Sequence, residues 1–175
     1  MKTELFWIST PMPGRLAIMP RPRGGDWLMD EVRAWSAAGV DLVVSLLTAD
    51  EVADLELEKE REWCQTSGIQ FLAFPIPDRG VPASAGNARE LVSHLASLLS
   101  QGKSIAIHCR QGIGRAALIA IAVLIHSGVD EASAVNQVSE SRQCAVPETL
   151  EQRRWITAFA AETKAFLPKV TTSKS

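Results

Sequence analysis

The segment His108–Arg115, with the sequence HCRQGIGR, places a cysteine, two glycines and an arginine within eight residues. An apolar stretch, SIAIHC, leads into it, and the apolar run Ala116–Ile125 follows it. Apolar segments on both sides predict a loop between a buried strand and a buried helix. At the carboxyl ends of parallel strands, the following helix presents free backbone N–H groups and the positive end of its dipole to ligands. The segment therefore predicts an anion-binding loop that contains a nucleophilic thiol, Cys109.

Each residue type in this loop suits an anionic ligand. We expect Gly112 and Gly114 to adopt positive φ angles, so that successive backbone N–H groups can point at the ligand. The planar guanidinium of Arg115 matches two oxygens of a phosphate or sulfate. A cation at a helix N-terminus opposes the helix dipole, so its placement is favourable mainly when an anion also binds. The same electrostatic field favours the thiolate form of Cys109.

A thiolate beneath a bound phosphate ester can attack phosphorus and form a phosphocysteine that water later hydrolyses. The leaving oxygen then needs a proton from a nearby acid. Asp78, in the segment PIPDRGVP, follows the predicted strand that precedes the strand of Cys109. Because the carboxyl ends of parallel strands meet at one edge of a sheet, we expect Asp78 to lie near Cys109 and to act as the general acid.

These segments resemble a known family. HCRQGIGR fits the His-Cys-x5-Arg loop of the cysteine-dependent protein tyrosine phosphatase superfamily. The segment PDRG, in which Asp78 stands 31 residues before Cys109, resembles the acid loop of its dual-specificity branch. VVSLLTADE and VPETLEQRRW are similar to segments of the kinase-associated, dual-specificity group, so the resemblance covers about residues 5 to 165.

The resemblance implies a role for each matching residue. Cys109 corresponds to the nucleophile, Arg115 to the phosphate clamp, and Asp78 to the general acid that later acts as a base. Gln152, in ETLEQRRW, resembles the glutamine that positions the hydrolytic water in some relatives. The loop residues whose backbone N–H groups would bind the phosphoryl oxygens are Arg110, Gln111, Gly112, Ile113, Gly114 and Arg115.

One position departs from the family pattern. Relatives commonly carry Ser or Thr directly after the loop arginine, where the hydroxyl can hydrogen-bond the cysteine sulfur, but this chain has Ala116. A hydrogen bond to a charged group is worth about 1.5–3 kcal/mol, or roughly ten- to a hundredfold in rate. We therefore expect slower breakdown of the phosphoenzyme without loss of function.

The predicted function is a phosphomonoester hydrolase, specifically a protein phosphatase for phosphotyrosine, with phosphoserine and phosphothreonine as further substrates. Two alternatives stay open. The first is a pseudophosphatase that recognises a phosphorylated partner, which the alanine at position 116 motivates, although Cys109 and Arg115 argue against it. The second is hydrolysis of a non-protein phosphomonoester such as a phosphoinositide, although Arg110 is the only basic residue among the variable positions of the loop.

Composition limits the partners. A formal charge of −2 gives no general attraction for nucleic acid, and the longest apolar run, Ala116–Ile125, is shorter than the ~20 residues that span a membrane. The partner that we expect is a phosphorylated protein or peptide, and the sequence does not define an oligomeric state. With 175 residues, of which 46% are hydrophobic, we expect one catalytic domain over residues 1–168 and a polar, flexible tail over 169–175.

The cysteines and histidines indicate no cofactor. Cys64, Cys109 and Cys144 are widely spaced and form no CxxC pair, which argues against a disulfide framework and a zinc site and favours a reducing cytoplasm. Cys64 and Cys144 are interpreted as core or surface residues. His94 and His126 have no accompanying ligand pattern, so we expect no metal site.

Periodicity predicts an α/β fold with a mainly parallel central sheet of four to five strands, flanked by helices and followed by a helical C-terminal third. Two short strands near the N-terminus, in ELFWIS and RLAIMP, are candidates for an antiparallel edge. We expect Asp26 to cap the first helix and a single charged helix to run over about 49–67. The other predicted strands are VDLVVSLL, IQFLAFPI and SIAIHC, and the later helices cover about 91–102, 115–127, 130–141 and 148–166.

Overall fold

A five-stranded sheet lies at the centre of the computed structural model, which describes residues 3–166. The strands are β1 (Phe6–Ile8), β2 (Arg15–Met19), β3 (Leu42–Ser45), β4 (Gln70–Ala73) and β5 (Ser104–His108), in the order β1-β2-β5-β3-β4. The neighbouring pairs from β2 to β4 are parallel, and β1 pairs antiparallel with β2. The predicted mainly parallel sheet with an antiparallel edge is confirmed. The predicted tail, 169–175, lies outside the described residues.

Helices cover both faces of the sheet. They are α1 (Leu28–Ala37), α2 (Ala49–Asp54), α3 (Glu60–Thr66), α4 (Ala85–Ser100), α5 (Arg115–His126), α6 (Glu131–Arg142) and α7 (Leu150–Phe166). Among the helices of residues 3–166, none combines the length and the apolar character needed to cross a membrane.

Two predictions about the helices are wrong. The charged segment over 49–67 forms two helices, because Glu56 adopts a left-handed φ of 55° and the next residue, Leu57, is buried in the core. Burial of Leu57 outweighs the helical preference of the surrounding charged residues. Asp26 does not cap α1: it lies within a short 3₁₀ turn, Gly25–Trp27, and its side chain makes no capping hydrogen bond.

The alternation of side chains along the strands divides the core into two layers. One layer contains Leu16, Ile18, Ile105 and Ile107 together with residues of α4, α5, α6 and α7. The opposite layer contains Ala17, Met19, Val43 and Ala106 together with residues of α1 and α3. In α5 every residue from Arg115 to Ile125 is buried, as expected for a helix that is apolar on all sides.

The ends of the parallel strands bring the functional loops to one edge. Met19 of β2 and Ser45 of β3 both pair with His108, the last residue of β5. Beyond the strands, the Leu46 N–H donates to the His108 carbonyl at 3.0 Å, and the Ile76 N–H donates to the Leu46 carbonyl at 3.0 Å. These contacts hold the segments after β3 and β4 beside the loop that follows β5.

Candidate active site

The thiol of Cys109 lies at the bottom of a tight loop between β5 and α5. Cys109 is only 3% exposed, and its Sγ accepts a hydrogen bond from the Gly112 N–H at 3.2 Å. Gly112 has a φ of 73°, as predicted, and a Cβ at this position would lie 2.7 Å from the carbonyl carbon and oxygen of Met19. Only glycine fits both the left-handed conformation and this close approach, so Gly112 determines the curvature of the loop around the sulfur.

Gly114 does not have the conformation that the sequence predicted. Its φ is −108°, so the expected positive φ is wrong at this position. A Cβ on Gly114 would instead overlap the side-chain carboxylate of Glu148. The missing side chain therefore makes room for an acidic group from the segment before α7.

Arg115 begins α5 and is 1% exposed, with its guanidinium paired to Glu51. Arg115 Nη1 donates to Glu51 Oε2 at 2.7 Å, and Arg115 Nη2 donates to Glu51 Oε1 at 2.8 Å. Glu51 also completes a capping box with Thr48 at the start of α2, which fixes its side chain. This bidentate pair fixes the position of the guanidinium at the loop.

The ion pair changes the protonation of both partners. Burial on its own would raise the pKa of Glu51, but hydrogen bonds from Arg115 and from the Thr48 N–H outweigh it and hold this pKa at about 2. Burial likewise disfavours the charged form of Arg115, and the hydrogen bonds to Glu51 together with the nearby Cys109 still raise its pKa. Both groups therefore stay charged across the physiological pH range.

Asp78 reaches the same guanidinium from the segment after β4. Its Oδ1 accepts from Arg115 Nη2 at 3.0 Å, and its side chain is 55% exposed. The Ile76 carbonyl also accepts from Arg115 Nη1, at 2.9 Å. The structure thus brings Asp78 to the edge of the sheet where Cys109 and Arg115 lie.

Charged side chains surround the opening above the thiol. Arg110, which is 43% exposed, donates from Nε to Glu51 Oε1 at 3.3 Å. Arg79, in a left-handed conformation with φ 59°, donates from Nη1 to Glu148 Oε2 at 3.3 Å. Both cations thus have a carboxylate partner at the opening.

The opening is a cavity of about 210 Å³. Its lining consists of Asp78, Arg79, Cys109, Arg110, Gln111, Gly114, Arg115 and Glu148. Of the remaining loop residues predicted to bind phosphate through the backbone, Gly112 contacts the sulfur and Ile113 packs partly against the core.

Gln152 lies beside the acid loop and is fully buried. Its Nε2 donates to the Gly80 carbonyl at 3.0 Å, and its Oε1 accepts from the Thr149 N–H at 3.3 Å. The Gln152 N–H donates to Thr149 Oγ1 at 3.1 Å, so the two residues form a reciprocal cap at the start of α7. Gln152 is not among the cavity-lining residues, and its predicted contact with the hydrolytic water stays a prediction.

His108, the residue before the nucleophile, is buried and contacts α3. Its Nε2 lies 2.8 Å from Oε1 of Glu60, a carboxylate that is 1% exposed. Its Nδ1 has no hydrogen-bond partner among residues 3–166. The contact with Glu60 orders the end of β5 from the α3 side.

Sequence reasoning missed two acidic residues of the site. Glu51 had a recognisable signal, since the Thr48–Glu51 spacing is that of a capping box immediately after a predicted strand. That signal predicts a helix start and gives no indication of the pairing with Arg115. Glu148 had no signal, because an acidic residue after Pro147 is ordinary at the start of a helix.

Comparison with known proteins identifies the family. The chain belongs to the family described as PTP-SAK, Swiss Army Knife protein, DSP-PTPase phosphatase domain, whose model matches residues 5–167. The rat protein named cyclin-dependent kinase inhibitor 3 is 26% identical over 133 residues, which is 75% of this chain and 62% of that protein. The human protein of the same name is 23% identical over the same shares of each chain. The match therefore spans less than two thirds of these relatives.

Solved structures share the fold. The crystal structure of kinase associated phosphatase with its catalytic-site cysteine replaced by serine superimposes with a TM-score of 0.83 at 18% identity, covering 95% of this chain and 99% of that one. Tk-PTP in its active form has a TM-score of 0.70 at 27% identity, covering 85% and 92%. PTPMT1 in complex with PI(5)P has a TM-score of 0.72 at 19% identity, covering 91% and 97%. The predicted resemblance to dual-specificity phosphatases of the kinase-associated type is confirmed.

Proposed function

We propose that this protein is a cysteine-dependent protein phosphatase that hydrolyses phosphotyrosine and also accepts phosphoserine and phosphothreonine. The observation that carries the proposal is the position of the Cys109 sulfur, 3.2 Å from the Gly112 N–H and under the same cavity as Arg115. A backbone donor and a fixed guanidinium around one buried thiol suit a phosphoryl group. Membership in a dual-specificity phosphatase family supports the same reaction.

The reaction proceeds in two displacements at phosphorus. In the first, the Cys109 thiolate attacks phosphorus, the bond from phosphorus to the leaving oxygen breaks, and Asp78 supplies the proton that this oxygen needs. In the second, Asp78, deprotonated by the first step, accepts a proton from the water that attacks phosphorus. The P–S bond breaks, its electron pair returns to the Cys109 thiolate, and inorganic phosphate leaves. Arg115 and the backbone N–H groups from Arg110 to Arg115 stabilise the phosphoryl oxygens in both steps.

Substrate binding is expected to break the contact between Asp78 and Arg115. Oδ1 of Asp78 lies 3.0 Å from Arg115 Nη2, a donor that a phosphate oxygen needs. We expect the incoming dianion to take this donor and to release Asp78, which is half exposed, toward the leaving oxygen. Substrate binding therefore also moves the Asp78 carboxyl group into position beside the leaving oxygen.

Two cysteine variants test the nucleophile. Cys109→Ser is expected to abolish hydrolysis of p-nitrophenyl phosphate, while Cys144→Ser, which changes an exposed cysteine away from the cavity lining, retains the wild-type rate. Rapid quenching should trap a phosphoryl group on Cys109 in the wild type. Full activity of Cys109→Ser contradicts the mechanism.

Asp78→Asn tests the general acid through the leaving group. Phenolate leaves poorly without a proton, so this variant should lose about 10²–10⁴-fold on phenyl phosphate and much less on p-nitrophenyl phosphate. The matched control is Asp26→Asn, an exposed aspartate of the 3₁₀ turn. Equal losses on the two substrates would argue against proton donation by Asp78.

A substrate panel separates the proposed activity from its alternatives. Phosphotyrosine, phosphothreonine and phosphoinositide substrates are compared at equal concentration, with release of inorganic phosphate as the readout. A preference for the lipid identifies a phosphoinositide hydrolase instead. Stoichiometric binding of phosphopeptide without release identifies a pseudophosphatase, the alternative that the alanine at position 116 motivates.

Two further proposals concern the extent of the catalytic domain and the cellular compartment. We propose that residues 1–168 act as one catalytic domain, which is supported by the family match over 5–167. Cys64, Cys109 and Cys144 are all free thiols, and Cys109 must stay reduced to act as a nucleophile. A reducing compartment such as the cytoplasm supports this activity.

A further inference from the structure

Two successive backbone carbonyls of the anion-binding loop accept hydrogen bonds from neighbouring segments. The Arg110 carbonyl accepts from the Arg21 N–H at 3.2 Å. The Gln111 carbonyl accepts from Nη2 of Arg142, the last residue of α6, also at 3.2 Å. The first donor is a backbone group that almost any residue supplies, whereas the second exists because residue 142 is an arginine.

The Gln111 carbonyl belongs to the same peptide group as the Gly112 N–H, which donates to the Cys109 sulfur at 3.2 Å. This peptide bond is trans, and in a planar trans peptide the C=O and N–H point in opposite directions. A contact that holds the Gln111 oxygen therefore also directs the Gly112 N–H. Because glycine adopts either sign of φ at little cost, Gly112 by itself does little to fix this peptide.

The guanidinium of Arg142 is held by a ring of the edge strand β1. Its central carbon lies 3.8 Å from the centre of the Phe6 ring, a cation–π contact. Its Nε is buried and has no hydrogen-bond partner among residues 3–166. Arg79, Arg110 and Arg115 are each paired with a carboxylate, but Arg142 forms no ion pair within that range. Its one polar side-chain contact with the described residues is therefore the hydrogen bond to the loop.

A cation, a peptide dipole and the phosphate site thus lie in series. The negative end of the dipole is the Gln111 oxygen beside Arg142, and the positive end is the Gly112 N–H beside the Cys109 sulfur. A cation at the oxygen polarises the peptide and strengthens the hydrogen bond that its N–H donates. Arg142 is not among the residues that line the cavity, so any effect on a bound anion passes through the loop.

We propose that Arg142 is a positioning residue of the active site, which holds the Gln111 carbonyl and thereby directs the Gly112 N–H at the sulfur and the bound phosphoryl group; this rests on the proposed function. Phe6 supports it by holding the plane of the guanidinium. The proposal also gives the antiparallel strand β1 a role at the active site, because its first residue holds Arg142.

The test uses the full-length protein and two readouts that do not need turnover. Arg142→Met keeps a long unbranched side chain but removes the donors. In nitrogen–proton NMR spectra, we expect the Gly112 amide resonance to shift and its hydrogen to exchange faster with solvent. The amide of Gly102, which donates to the Leu99 carbonyl before β5, should stay unchanged. The Kd for inorganic phosphate, measured by calorimetry, should rise by about tenfold, less than the roughly 10²–10³-fold effect of removing an oxyanion donor itself.

Matched variants separate positioning from loss of charge or of folding. Arg153→Met, which changes an exposed arginine of α7, should leave both readouts unchanged. Arg142→Lys keeps the charge and a donor for the loop carbonyl, so it should bind phosphate more tightly than Arg142→Met. Phe6→Leu keeps an apolar side chain but loses the ring face, and it should weaken phosphate binding less than Arg142→Met does. These two variants keep the proposal testable if Arg142→Met folds poorly.

The outcomes distinguish this inference from the proposed function. A wild type that binds phosphate but does not hydrolyse phosphotyrosine contradicts the proposed function, and the two readouts still test Arg142. Unchanged phosphate binding in Arg142→Met overturns only the role of Arg142. Weaker binding with an unchanged Gly112 amide also overturns it, because that result indicates a long-range effect of charge. Equal changes at the amides of Gly112 and Gly102 overturn it as well, because they indicate a general disturbance of the fold.

Discussion

Arg115 and Glu51 form a buried bidentate ion pair at the N-terminus of α5, with N–O distances of 2.7 and 2.8 Å. A cation at this end of a helix is disfavoured by the helix dipole. The carboxylate of Glu51 compensates for this cost, so Arg115 does not depend on a bound anion to remain in place. The loop is thereby organised before substrate arrives, which reduces the reorganisation needed during the reaction.

Removal of Glu51 should destabilise the protein and inactivate it. Glu51→Ala leaves the buried guanidinium of Arg115 without its partner and removes the cap of α2, and loss of one member of a buried pair costs about 3–5 kcal/mol. Urea unfolding followed by circular dichroism measures this cost. Glu58→Ala, an exposed glutamate nearby, is the control and should change the unfolding free energy by less than about 0.5 kcal/mol. A similar small effect of Glu51→Ala would contradict the energetic role of the pair.

The same pair predicts an acid dependence of stability. The pKa of Glu51 is lowered from 4.5 to about 2 in the folded protein. Its stabilising contribution is therefore fully present above pH 4.5 and is lost as the pH falls toward 2, by about 3 kcal/mol in total. Glu51→Gln cannot titrate, so its unfolding free energy should fall less over this interval. An equal fall in the unfolding free energy of the wild type and of Glu51→Gln would show that another carboxylate causes the loss of stability in acid.

Gly114 and Glu148 should be energetically coupled. A methyl group at position 114 overlaps the Glu148 carboxylate, so Gly114→Ala is expected to displace that side chain and to weaken anion binding and turnover. In a Glu148→Ala background the overlap is gone, and the added methyl should cost much less. A double-mutant cycle on stability is expected to give a coupling of about 1–3 kcal/mol. Additive effects of the two substitutions on the unfolding free energy would show that the methyl group at position 114 does not overlap the Glu148 carboxylate.

Gly86 provides the matched control for this substitution. It lies in the first turn of α4, and a Cβ there would make only an ordinary contact, 3.8 Å from Ser84 Oγ. Gly86→Ala should therefore raise the unfolding free energy by about 0.5–1 kcal/mol, because alanine loses less conformational freedom in a helix. A fall in the unfolding free energy of Gly114→Ala and a rise in that of Gly86→Ala would distinguish a steric effect from a general response to alanine.

The central part of the site was predictable because its signals are local. Cys109 and Arg115 share one loop, and the apolar segments around it determine which strand and helix it joins. Asp78 required one further step, the rule that loops after parallel strands share an edge of the sheet. Its 3.0 Å contact with Arg115 agrees with that expectation.

The remaining contacts depend on tertiary structure. Glu51 and Arg115 are 64 residues apart, and their bidentate geometry follows from how α2 packs beside the loop, which no local pattern encodes. The single helix predicted over 49–67 failed for a related reason. Hydrophobic burial of Leu57 ends α2, whereas local propensity alone favours a helix that continues through this residue.

Ala116→Ser should accelerate breakdown of the phosphoenzyme. Ala116 is fully buried directly after Arg115, and the family resemblance places a hydroxyl at this position near the cysteine sulfur. A hydrogen bond to the departing thiolate is worth about 1.5–3 kcal/mol, so the second displacement should speed up by about tenfold or more. The ratio of burst amplitude to steady-state rate measures the change. Ala117→Ser, which buries a hydroxyl one position further along α5, should give no acceleration.

Cys64 and Cys144 should differ sharply in reactivity. Burial, together with the nearby charge of Glu60, raises the pKa of Cys64 to about 12, whereas Cys144 is exposed. A rise of three pKa units lowers the thiolate fraction about a thousandfold, so iodoacetamide at pH 8 should label Cys144 rapidly and Cys64 only after unfolding. Peptide mass spectrometry with and without urea provides the measurement. Rapid labelling of Cys64 in the native protein would contradict its burial.

The raised pKa of Cys64 also predicts that the protein loses stability in alkaline solution. The folded protein retains the thiol proton above pH 9, where the unfolded chain loses it, so stability decreases as the pH rises from 9 toward 12. By pH 10 the decrease amounts to about 1 kcal/mol. Cys64→Ala removes the titrating group, so its unfolding free energy should fall less between pH 8 and pH 10 than that of the wild type. An equal or larger fall in the variant would assign the alkaline loss to other groups.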